Sequence, residues 1–148
     1  MDKARSAELL IQLYDLRRET VMREARNWMG TFFVDNAEDF AAAMMDPETG
    51  GYLRMVISYW DMAASFVEHG AIDRQMFYDA NGEFLFVFCK IRPHLEGIRE
   101  MFDMPEWMQN LENLVMAMPN AEKNIEKMEG WMKESQEQMS QMAEGQAG

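Results

Sequence analysis

The apolar positions of this chain recur every three or four residues, the period of an α-helix, along nearly its whole length. The most regular stretch is C-terminal. Trp107, Leu111, Leu114, Met118, Ala121, Ile125, Met128, Met132, Ser135, Met139 and Met142 follow spacings of four and three in alternation, a heptad seam of about five heptads. Pro119 lies inside it, so residues 105–143 are expected as a long amphipathic helix kinked there, or as two helices meeting there. Residues 144–148 are expected as a disordered tail, with residues 1–143 forming one domain.

The same period predicts a helix over residues 6–29, with Ser6 as N-cap and Gly30 as the stop. Asn36, followed three residues on by Asp39, opens a short helix to about Met45, and Asp46 to Gly51 reads as a loop. Residues 52–69 form a helix ended by Gly70, and Asp73 caps another through Phe77 and Tyr78. The run Phe84 to Cys89 is the one candidate strand. No second segment alternates with period two to pair with it, so residues 83–102 are taken as helix, kinked or restarted at Pro93. The fold class is therefore all-α: a single-domain helical bundle of about five to seven helices with a long C-terminal amphipathic helix.

Composition narrows the function more than the fold. The chain has 148 residues, 48% of them hydrophobic, with 17 Met and a net charge of −12. That acidic balance disfavours nucleic acid, whose phosphates are neutralised by Lys and Arg. The charge is uneven, about +1 over residues 2–29 and about −6 after residue 100, which leaves Arg17, Arg18, Arg23 and Arg26 as a basic face on the first helix. The longest apolar run is too short for a membrane span, and no basic-then-apolar leader opens the chain, so a cytoplasmic address is expected. The lone Cys89, among aromatics, reads as a buried hydrophobe with a raised pKa.

No ligand motif supports a metal or cofactor. His69 and His94 lack the Glu-x-x-His and His-Glu-x-x-His spacings, and are expected at the surface or at helix ends. The sulfur pairs Met101/Met104 and Met139/Met142 suit Cu(I), but without histidines beside them no metal is expected. Arg92, Glu96, Arg99 and Glu100 look like a surface salt-bridge lattice along one helix. Met44, Met45, Met55 and Met62 look like core filling.

Two candidate sites remain. The first is the seam itself, with Trp107, Leu111, Leu114, Ile125, Met128, Trp131, Met132 and Met139 as contacts to a second copy or another protein, a flexible methionine surface being suited to binding apolar helices. The second is the polar stripe Arg54, Ser58, Asp61, Ser65 and Glu68, which with Tyr59, Trp60, Phe66 and Phe86 could form an aromatic pocket between helices, polarised by Asp61 or Glu68. The first reading makes the chain a cytoplasmic interaction or structural module, a homodimer or the partner of another protein. The second makes it a small-molecule binder or an enzyme.

From Tyr52 to Asp103 the order Tyr59-Trp60, Val67, Gly70, Ile72-Asp73, Phe77-Tyr78, then an aromatic-rich helix leading to Pro93 and Arg99, resembles a family of small, uncharacterised, all-helical bacterial proteins, a domain of unknown function. The resemblance implies a helical fold and no particular reaction. The methionine-bearing C-terminal helix departs from that family's pattern.

Overall fold

The computed structural model describes the backbone of residues 2–147 and the side chains of residues 2–146. Nine α-helices and no strand occur among them: α1 (Lys3–Arg17), α2 (Thr20–Met29), α3 (Ala37–Met45), α4 (Gly50–Glu68), α5 (Arg74–Ala80), α6 (Glu83–Ile91), α7 (Leu95–Met101), α8 (Gln109–Met116) and α9 (Ala121–Ala147), with a 3-10 turn at Arg92–His94 joining α6 to α7. The fold is all-α, as the periodicity requires. It is cut into more pieces than five to seven because two expected helices divide, residues 6–29 at Arg18–Glu19 and residues 83–102 at the turn containing Pro93.

α4 is central, packed against α2 and α8 along its length and touched by α3 and α6. Its inner face, Leu53, Val56, Trp60, Ala63 and Ala64, is completely or almost completely buried. Trp60 meets Tyr59, Phe77 and Phe84 at ring-centroid distances of 4.9, 6.4 and 6.4 Å, the first two edge-on. Burying each such ring favours folding by roughly 1.5–3 kcal/mol, so this aromatic knot is the centre of the core.

Local signals fix several helix ends. Gly70 has φ 79°, a conformation glycine adopts without strain. Its N–H donates to Val67 O at 3.0 Å while Ala71 N–H donates to Phe66 O at 2.8 Å, a Schellman closure of α4. Asn36 and Asp73 cap α3 and α5, accepting from Asp39 N at 2.8 Å and Met76 N at 2.9 Å.

Other ends differ from expectation. Asp2, not Ser6, caps α1, and Ser6 is buried with its Oγ accepting from Asp73 N at 3.0 Å. α9 remains helical through Ala147, where a tail was expected from residue 144; Gly148 lies outside the described residues. Of the four methionines read as core filling, only Met44 is buried; Met45, Met55 and Met62 are exposed. The arginines also differ from their expected roles. Arg26 pairs with Glu83 at 2.8 Å and Arg17 donates to Asn81 at 3.0 Å, which ties α2 to the start of α6 and α1 to the end of α5. Arg92 reaches Glu122 and Glu129 of α9, and Arg99 reaches Glu112 of α8, all at 3.2 Å, so they clamp separate helices instead of forming a lattice along one.

Candidate functional site

The C-terminal seam divides into two physically different halves. Its first half builds the chain's own core: Leu111, Leu114 and Ile125 are fully buried, and Trp107 is half-buried with its ring edge-on to Phe40 at 6.3 Å. Leu111, Leu114 and Ile125 cannot serve as contacts to another chain while the domain is folded. The two helices meet at Pro119, the second of the two forms expected. Asn120 adopts φ 58° there, and Asn124 Nδ2 donates to Pro119 O at 3.1 Å.

The root of α9 is then held by Ile125, by the half-buried Met128 and Met132, and by the Arg92 clamp. Beyond Met132 only Ser135 is half-buried, and every other side chain through Gln146 is exposed. At 1.5 Å per residue the exposed segment is about 20 Å of helix. It carries Met139, 40% exposed, and Met142, 65% exposed. At the root an apolar groove of about 460 Å³ is lined by Leu85 of α6, Met118, and Asn124, Lys127, Met128 and Trp131 of α9. Trp131 is 57% exposed, with its ring edge-on to Phe86 at 6.1 Å.

The second candidate set is distributed among separate partners. Arg54 donates to Met44 O, and Tyr59 Oη donates to Leu13 O at 2.5 Å. Burial pushes the Tyr59 hydroxyl up to about 12. Trp60 lies in the core, with the Arg17 guanidinium 5.2 Å from its ring centroid. Glu68 pairs with Arg74 at 2.8 Å. Asp61 Oδ1 accepts from Leu111 N at 3.0 Å, so a carboxylate on α4 caps the first turn of α8.

Asp61→Ala is therefore expected to cost about 2 kcal/mol, the usual loss for a charged acceptor removed from a partly buried N–H. Asp61→Asn, which keeps an oxygen, costs less. Urea denaturation checks the order; equal stability of wild type and Asp61→Ala would show that the cap contributes nothing.

Sequence reasoning passed over Lys90 and the burial of His94; both side chains are buried, and His94 stands at a helix end, at the N-terminus of α7. Lys90 Nζ donates to Phe32 O and lies 3.5 Å from the Phe33 ring centroid. His94 lies 5.5 Å from the Phe40 ring. Together they hold the extended 32–34 linker against α6 and line a cavity of about 100 Å³ with Cys89 and Met132. One signal was present: Lys90 interrupts an apolar run on a helix with little solvent-facing surface. Burial pulls the Lys90 ammonium down to about 8 and pushes the Cys89 thiol up to about 12. The His94 imidazole is lowered by burial, against opposing contributions from the Val34 backbone and the Asp35 carboxylate.

The Lys90 shift predicts a pH dependence. Between about pH 8 and 10.5 the unfolded chain still holds a proton that the folded chain has released, so stability rises with pH through that window. Below it both states are charged and the penalty is constant. The unfolding free energy of wild type should rise by on the order of 2 kcal/mol relative to that of Lys90→Met from pH 8 to 10. A difference that stays flat would show that Lys90 titrates normally.

Among the described residues no three His, Cys, Asp or Glu side chains group to hold a metal ion, and no helix is long and apolar enough to cross a membrane. No curated protein and no solved structure matches the chain. The family model for a domain of unknown function, DUF4760, matches residues 4–118, and the chain belongs to that family. The match takes in α1 to α8 and stops at the Pro119 break, leaving α9 beyond it.

Proposed function

We propose that this member of the family is a cytoplasmic protein-interaction module that self-associates through α9. One observation carries the reading: α9 runs on from its last core contact as a helix whose remaining large apolar side chains, Met139 and Met142, face solvent. An isolated amphipathic helix of that length is marginal in water and gains its stability by packing an apolar face. Met side chains adapt to an apolar partner surface without a fixed rotamer. Charge favours the same place, since Lys133, Glu134, Glu137 and Glu144 fall on the far side of the helix from the methionines. Two chains of charge −12 can meet there without bringing carboxylates together. A reducing compartment suits the single thiol, Cys89, which is buried and unpaired.

The test is the mass of the intact chain in solution. Light scattering from low micromolar to several hundred micromolar should show a reversible rise from 17.3 kDa towards twice that value. A constant monomer mass over the whole range rejects self-association.

A further inference from the structure

We infer that the groove at the root of α9 is filled by the distal half of α9 from a second copy, the two helices running antiparallel about a twofold axis between Lys133 and Glu134. The inference rests on the self-association proposed above and specifies what occupies the groove.

The groove and the side chains that would fill it lie on one helix. Met128, on the groove wall, and Met139, on the bare segment, are eleven residues apart, as are Trp131 and Met142. Eleven residues are three helical turns to within about 20°, so both pairs share a face, separated by about 16 Å. A twofold pairing requires this self-complementarity, in which each copy offers the patch that the other copy's patch fits. With the axis between Lys133 and Glu134, Met139 of each copy comes level with Met128 of the other, and Ser135 with Met132.

Shape sets the direction. The groove is walled by Leu85 and Met118, so the body of the domain stands beside the root of α9 and not beside its distal half. A parallel pair would bring the two domain bodies together at the same end, wall against wall. The antiparallel pair puts the slender end of each helix against the walled end of the other. The distal flanks of the seam, Gln136, Gln138 and Ala143, carry no charge to oppose the approach.

Thiol crosslinking reads this arrangement directly, because the chain's one native thiol, Cys89, is buried. Three full-length proteins are treated with a short thiol–thiol crosslinker: Met128→Cys, Met139→Cys and the double variant. Unchanged thermal melting shows that each folds. The antiparallel pair predicts crosslinked dimer from the double variant, and from a mixture of the two single variants, on the order of tenfold above either single variant alone. Efficient closure of Met139→Cys on its own overturns the antiparallel arrangement and leaves self-association standing. A dimer by light scattering that no combination closes places the interface elsewhere and overturns the inference. A chain that stays monomeric at every concentration overturns both.

Discussion

Trp60→Ala lowers the unfolding free energy by about 4 kcal/mol, the middle of the range for deleting a buried aromatic ring. Trp60 is almost completely buried on the central helix, and its ring meets Tyr59, Phe77 and Phe84. A domain of this size has roughly 5–15 kcal/mol in total, so the variant loses between about a quarter and four fifths of its stability. Trp60→Phe behaves differently. The indole Nε1 is buried without a hydrogen-bond partner, so replacing it with phenyl removes an unsatisfied donor along with some packing. A loss of about 1–2 kcal/mol follows. Urea denaturation at constant m-value compares the two; equal losses would show that a phenyl ring recovers none of the packing around the indole.

Ending the chain at Met132 is expected to leave the domain folded and abolish its association. The deletion removes a segment in which every described side chain except the half-buried Ser135 is exposed, so the domain's unfolding free energy should change by less than about 1 kcal/mol. Ending it instead at Met118 strips the fully buried Ile125 and the half-buried Met128 and Met132 from the core, and should cost several kcal/mol. The contrast between the two truncations separates the part of α9 that completes the domain from the part available to a partner.

What was legible in the sequence was short-range. The Asn36 and Asp73 caps, the Gly70 closure and the Pro119 break each depend on a few neighbouring residues, and the structure places them as expected. What was illegible depended on partners far along the chain. Ser6 has the chemistry of a cap, yet its hydroxyl is taken by the backbone of Asp73, 67 residues away. Asp61 and Leu111, 50 residues apart, meet only because α8 lies along α4.

Periodicity also hid two facts. The apolar pattern runs on through Arg18 and Glu19, although Glu19 caps a new helix by accepting from Met22 N at 2.9 Å. The heptad seam keeps one register from Trp107 to Met142 while its environment changes from core to solvent, because period reports which face is apolar and not what covers it. For the candidate site, the apolar stripe of the last helix was legible in the sequence. The groove was not, because its Leu85 wall comes from α6, far along the chain.

Sedimentation equilibrium on the full chain and on the chain ending at Met132, run side by side over the same concentrations, bears most directly on the role of α9. The full chain should fit a reversible monomer–dimer equilibrium of micromolar dissociation constant, as befits a small two-helix interface, and the shortened chain should remain a monomer throughout. Two monomers, or two dimers of equal affinity, would contradict the assignment of self-association to the distal half of α9.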